Sequence, residues 1–156
     1  MYLDFEETLI NEHFQHPFAI VVCDVNELKR INDEEGHQAG DQYLIDACKI
    51  ICGIFEHSPV FRIGGDEFVA VCQGQDYDQL DSLIGKMALH NIQAKNSGDI
   101  VIACGVAKYE QDESAQVVFN RADRSMYVNK NLFNKWWCIL TIHRLFLTKL
   151  PIQLKL

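Results

Sequence analysis

The 156-residue chain carries 14 Lys and Arg against 22 Asp and Glu, a formal net charge of −8. At 48% hydrophobic and 23% charged it has ordinary globular composition, which excludes disorder, collagen and a coiled coil, and its length fits one compact domain. The acidic balance disfavours a general nucleic-acid binder, which wants a basic face, and leaves open a site where carboxylates hold a metal ion.

Residues 3–14 have helical spacing, with Leu3, Phe5, Leu9, Ile10 and Phe14 among acids, and Pro17 ends the segment. Phe18 to Cys23 is a continuous apolar run of strand length, as in a buried central strand, and it stops at Asp24. Residues 27–34 read as a short polar helix. Residues 40–56 place Tyr43, Leu44, Ala47, Cys48, Ile51, Ile54 and Phe55 on one helical face. Val60–Ile63 and Phe68–Cys72 are two strands joined by Gly64-Gly65-Asp66-Glu67. The paired glycines suit a tight hairpin in which both take positive φ. Residues 78–94 are helical again, Asn96–Asp99 is a loop, and Ile100–Val106 is a strand. Residues 114–132 form a third long helix with Ser114 as its N-cap. Trp136 to Ile142 is expected to add a last strand.

The charge changes sign near that end. Residues 1–134 hold all 22 acids and 10 of the bases, while residues 135–156 hold four bases and no acid. The order of strand, helix, hairpin, helix, strand, helix, strand predicts an α+β fold. A mostly antiparallel central sheet is flanked by helices in a ferredoxin-like βαββαβ layout.

No secretory signal opens the chain, and no apolar run reaches the roughly 18–20 residues of a membrane span. The tail comes nearest, but His143 and Arg144 break it. The six cysteines form no C-x-x-C pair and read as buried, reduced thiols, which points to a cytoplasmic location.

Three features carry chemistry. Asp24 sits where an apolar strand ends, a place ligands reach; taken alone it reads better as a solvated loop acid or helix cap. Gly64-Gly65-Asp66-Glu67 puts two carboxylates on a hairpin tip. Their repulsion is relieved by a cation, and the glycines let a ligand approach the backbone. In a βαββ unit the first strand lies beside this hairpin, so Asp24, Asp66 and Glu67 can converge on a site suited to Mg²⁺. Asn32-Asp33, Gly36-His37 and Gly40-Asp41 follow Asp24. An Asn amide with an Asp carboxylate can read a guanine edge, although the same residues are common in turns.

The stretch Asp24-Val25-Asn26-Glu27-Leu28-Lys29-Arg30-Ile31-Asn32-Asp33-Glu34-Glu35-Gly36-His37-Gln38-Ala39-Gly40-Asp41, followed by Arg62-Ile63-Gly64-Gly65-Asp66-Glu67-Phe68, resembles the GGDEF family of diguanylate cyclases. Ala122-Asp123-Arg124-Ser125-Met126-Tyr127-Val128-Asn129-Lys130 resembles that family's C-terminal helix motif. The resemblance covers about residues 5–135, and the motifs occur together, in order and at the right spacing.

That resemblance implies a palm-type fold and an enzyme that condenses two GTP into cyclic di-GMP with release of two pyrophosphates. It implies Mg²⁺ or Mn²⁺ held by Asp24, the Val25 carbonyl, Asp66 and Glu67, with Asp66 or Glu67 helping to deprotonate the ribose 3′-OH. It implies guanine contacts from Asn32 and Asp41, with His37 near the nucleotide. Lys29 and Lys130 would contact phosphate, with Gly64 and Gly65 beside the substrate; for Lys130 a solvated helix lysine is the rival reading. Two domains would face each other as a homodimer, under a sensory or regulatory domain that lies outside this sequence. The family domain is expected over residues 1–142, trimmed at its front, with residues 143–156 an atypical basic and apolar tail.

The departures are specific. Asn26 and Leu28 stand where the family usually has Asp and Phe. The family's Leu-Thr-Gly-Leu-like segment is not found. Phe133-Asn134-Lys135 stands in place of Gly-Arg-Asn. Phe55-Glu56-His57-Ser58 replaces the product-inhibition motif Arg-x-x-Asp, so no primary inhibitory site is expected. The missing segment and Asn134 motivate a second reading, a weak or inactive GTP-binding regulatory module. A third is a cyclase that makes a mixed purine dinucleotide.

Overall fold

A strand buried on both faces organises the molecule. The computed structural model describes residues 17–111 and 114–148, with the backbone alone at 133, 134 and 136–148. In it Phe18–Val25 forms β1, and all eight residues are buried. Successive side chains of a strand point to opposite faces, so a strand covered on both sides must be apolar at every position. That accounts for the unbroken run.

Two helices follow, α1 (Leu28–Glu35) and α2 (His37–Ile54), separated by Gly36 at φ 90°. Then come β2 (Val60–Gly64) and β3 (Glu67–Gln73). The short α3 (Gly74–Asp78) leads into α4 (Leu80–Ser97), and β4 (Ile102–Lys108) leads into α5 (Ala115–Thr148). The sheet order is β2-β3-β1-β4, with every neighbouring pair antiparallel. The expected α+β sheet flanked by helices is therefore the fold observed.

One face of the sheet packs Ala19, Val21, Cys23 and Val25 against Leu44, Ala47 and Ile51 of α2 and Leu83 and Met87 of α4. The other packs Phe18, Ile20 and Val22 against Val118, Ala122 and Met126 of α5. Gly105 sets the depth of that second contact. A Cβ there would run into the backbone of α5 at Ala122 and Met126, so the missing side chain is what lets α5 lie close on β4.

Two sequence expectations fail. Trp136 to Ile142 is not a strand; its backbone continues α5 to Thr148. Residues 115–148 contain neither Gly nor Pro to stop the helix, and a short apolar run does not by itself distinguish helix from strand. The expected boundary at 142 and 143 falls inside this helix. Nor do Gly64 and Gly65 take positive φ; among the described residues the glycines that do are Gly36, Gly74 and Gly98. The hairpin instead closes through an irregular register between Arg62 and Gly64. The expected helix at 3–14 lies outside the described residues. No helix among the described residues is long and apolar enough to cross a membrane.

Candidate active site

Asp24 stands opposite Glu67 on β3 and opposite Ala103 on β4, at the end of the central strand. The Val25 N–H donates to the Asp66 carbonyl at 2.9 Å, and the Asn26 N–H donates to the Val101 carbonyl at 3.0 Å. Three chain segments are thus tied together where the apolar run turns acidic. Asp24 is only 7% exposed.

Its partner comes from the far end of the chain. Lys130 of α5 donates from Nζ to Asp24 Oδ1 at 2.7 Å. The residue before it fixes the approach: Asn129 Nδ2 donates to the Cys104 carbonyl at 3.0 Å. The close packing at Gly105 therefore delivers Lys130 to the sheet end.

Glu67 sits among acids. Partial burial pushes its carboxyl above the usual Glu range, and the negative charges of Asp123, Asp24 and Asp66 push it the same way, with Lys130 opposing them. Asp123 was not singled out from sequence as a site residue. The available signal was its spacing: it stands seven residues before Lys130, two helical turns away on the same face. Arg62 closes the hairpin, with Nε and Nη2 donating to the Gly65 carbonyl at 3.0 and 2.7 Å.

The α1–α2 junction carries Asn32 on α1 and Asp41 on α2, the residues expected to read a base. Gly36 ends α1 by donating its N–H to the Asn32 carbonyl at 3.1 Å. Gly40, in the first turn of α2, lies so close to the Asn32 amide that a Cβ would overlap it. Asn32 is thereby seated against Gly40, and the next residue, Asp41, is exposed. His37 and Lys29 are exposed on α2 and α1. Glu27 takes the left-handed conformation, φ 68°, to swing the chain from β1 into α1. Its carboxylate binds Arg30 at 2.8 Å.

Asn26 is a further feature. Its Oδ1 is buried without a hydrogen-bond partner, and its carbonyl accepts the Tyr43 hydroxyl at 3.2 Å. As donors, Asp24, Asp66, Glu67 and the Val25 carbonyl are hard oxygens of the kind Mg²⁺ and Mn²⁺ take. The raised Glu67 carboxyl and the bound Lys130 ammonium both mark a place that calls for positive charge. Among the described residues, however, no three His, Cys, Asp or Glu side chains are grouped as a metal site. The donor set fits the ion, while Asp24 is turned to Lys130.

The family model described as "Diguanylate cyclase, GGDEF domain" matches residues 1–135. The chain belongs to the GGDEF family. The chain is 29% identical over 123 residues to diguanylate cyclase DgcS of Shewanella oneidensis, covering 74% of this chain and 40% of that protein. It is 26% identical over 144 residues to cyclic di-GMP phosphodiesterase PdeR of Escherichia coli, covering 88% of this chain and 22% of that protein. The GGDEF chain thus spans less than half the length of either relative. Its fold matches the GGDEF domain of DgcB from Caulobacter crescentus, solved with c-di-GMP. The TM-score is 0.69 at 22% identity, over 83% of this chain and 82% of that one.

Proposed function

We propose that this GGDEF domain condenses two GTP molecules into cyclic di-GMP, releasing two pyrophosphates. The observation that carries the reading is the acidic end of β1 and β3, where Asp24 faces Glu67 across the sheet and Lys130 reaches it from α5. Family membership and likeness to named cyclases support it. The reading includes GTP and Mg²⁺ or Mn²⁺ as the small-molecule partners, a second copy of the domain for turnover, and a cytoplasmic location. It also includes a sensory or regulatory domain in the whole protein, with residues 143–156 as a tail outside the catalytic unit.

In this account Asn32 and Asp41 bind the guanine edge. The carboxylate accepts from N1–H and N2–H, and the amide adds orientation. His37 lies toward the nucleotide, Gly64 and Gly65 give the triphosphate access to the backbone, and Lys29 contacts phosphate. Asp24, the Val25 carbonyl, Asp66 and Glu67 would hold the divalent ion. When bound, that ion supplies Lewis acidity and neutralises triphosphate charge. Lys130 exchanges Asp24 for a phosphate oxygen. Asp66 or Glu67 accepts the 3′-OH proton, and of the two hairpin acids Glu67 is the register partner of Asp24.

A second reading has an observation of its own. Lys130 engages Asp24, and among the described residues the carboxylates are not grouped as an ion site; a domain fixed in that state would bind nucleotide and regulate a neighbour. Titration with GTP and ATP in the presence of Mg²⁺ tests the common core of both readings. GTP should bind at least tenfold tighter than ATP, and Asp41→Ala should remove the preference. Equal affinities would reject guanine readout and favour a mixed-purine cyclase. Turnover then separates enzyme from regulator.

A further inference from the structure

Cys23 on β1 and Cys104 on β4 are direct register partners in the antiparallel sheet. Their sulfur atoms lie 3.1 Å apart. The backbone around Cys104 shows which kind of pair this is. Two residues earlier, the Ile102 N–H and carbonyl both turn outward to the side-chain amide of Asn91, at 2.9 and 2.6 Å. The Cys104 carbonyl likewise turns outward, to Asn129. Both residues therefore present their hydrogen-bonding groups away from β1, which makes Cys23 and Cys104 a non-hydrogen-bonded pair. In such pairs the Cα atoms stand about 4.5 Å apart, inside the roughly 4.4–6.8 Å range of disulfides. A bond can close without moving either strand out of register.

Access is asymmetric. Cys23 is fully buried, with no exposed surface. Cys104 is partly exposed and lines a cavity of about 280 Å³, together with Met87, Ala88, Asn91, Val101 and Lys130. A small oxidant entering that cavity meets Cys104 first.

We propose that Cys23 and Cys104 are a reversible redox pair, oxidised by hydrogen peroxide or by a low-molecular-weight disulfide. With peroxide, the Cys104 sulfur attacks one oxygen, the O–O bond breaks, and a sulfenic acid and one water form. The Cys23 sulfur then displaces the sulfenic oxygen as a second water. Two thiols lose two protons and two electrons, peroxide gains both to give two waters, and one S–S bond results. With a disulfide oxidant, Cys104 first forms a mixed disulfide and Cys23 expels the small thiol. The pair follows from sheet register alone and does not depend on the proposed catalytic activity.

A second close pair among the described residues is a poorer match. Cys48 and Cys52 stand 3.9 Å apart, one turn along the same helix, where both Cβ atoms tilt the same way along the helix instead of facing each other.

The test uses the full chain, reduced and then exposed to a small excess of hydrogen peroxide or oxidised glutathione. The products are alkylated and mapped as peptides without reduction. The expected result is a dominant Cys23–Cys104 cross-link, a mass loss of two hydrogens, and full reversal by dithiothreitol. Cys104→Ser should abolish the link and leave Cys23 unmodified. Cys23→Ala should let a dimedone-reactive sulfenic acid build up at Cys104. If that buried substitution prevents folding, the wild-type map decides alone. A map in which Cys48 and Cys52 oxidise while Cys23 stays free, or in which Cys104 is oxidised without linking to Cys23, overturns the proposal.

Discussion

Lys130 Nζ donates to Asp24 Oδ1 at 2.7 Å, joining two residues 106 positions apart. The bond ties the last helix to the end of the central strand and places an ammonium on the carboxylate expected to ligate a cation. Two positive charges compete for one anion. Replacing Lys130 by Gln should therefore have opposite effects without and with metal. Without it, the variant should be less stable by about 1 kcal/mol, since Lys130 is one-third exposed and such pairs are weakened by solvent. With millimolar Mn²⁺, the variant should gain more melting temperature than the wild type, because binding to the folded state stabilises by mass action. Equal gains in both proteins would mean that Lys130 does not contest the ion.

Glu67 gives a pH dependence with a definite sign. Its carboxyl is raised in the folded chain by partial burial and by Asp123, Asp24 and Asp66. The folded form therefore keeps its proton at pH values where the unfolded form has lost it. The resulting stability is fully present below the ordinary Glu value and is lost as pH rises through the raised folded value. Glu67→Gln removes this. Urea denaturation across weakly acidic to neutral pH should show the variant gaining on the wild type as pH rises. A difference that stays flat over that range would contradict the assignment.

Gly40→Ala isolates the base-reading corner. The added Cβ meets the end of the Asn32 side chain and not backbone, so Asn32 can swing aside at small cost to the fold. Stability should change by less than about 1 kcal/mol. GTP affinity should fall about tenfold, as expected when one specific hydrogen-bonding group is misplaced. Unchanged GTP affinity would remove Asn32 from the nucleotide site.

Gly105→Ala should behave in the opposite way. Here the new Cβ meets α5 backbone at Met126 and Ala122, which cannot rotate away. Overpacking of this kind costs about 1–3 kcal/mol or more. Because α5 carries Asn129 and Lys130, the contact between Lys130 and Asp24 should loosen as well. Denaturation midpoints check the first effect, and the Mn²⁺ response described for Lys130 checks the second.

Much of this was legible in the sequence because the signals were local. The unbroken Phe18–Cys23 run announced a strand covered on both faces, and the glycine-linked pair of runs announced β2 and β3. The facing of Asp24 and Glu67 followed from the expected βαββ arrangement. What was missed depends on register and packing. The ending of α5 was misread because Trp136 to Ile142 carries no breaker and no decisive period. Positive φ at Gly64 and Gly65 was expected from composition, yet the Arg62 guanidinium on the Gly65 carbonyl helps close the turn by another route. The influence of Asp123 on Glu67, and the meeting of Cys23 with Cys104 across 81 positions, required the register of the sheet and the placement of α5.

The central claim is turnover, and the most direct test is product formation from GTP and Mg²⁺, analysed by chromatography over a range of protein concentrations. Cyclic di-GMP and pyrophosphate should appear in a one-to-two ratio. The rate per protein should rise with concentration while two domains must meet, and Glu67→Gln should reduce it by at least a hundredfold. GTP bound at saturation, with no cyclic di-GMP at any concentration, would contradict the account and leave the domain a nucleotide-binding regulator.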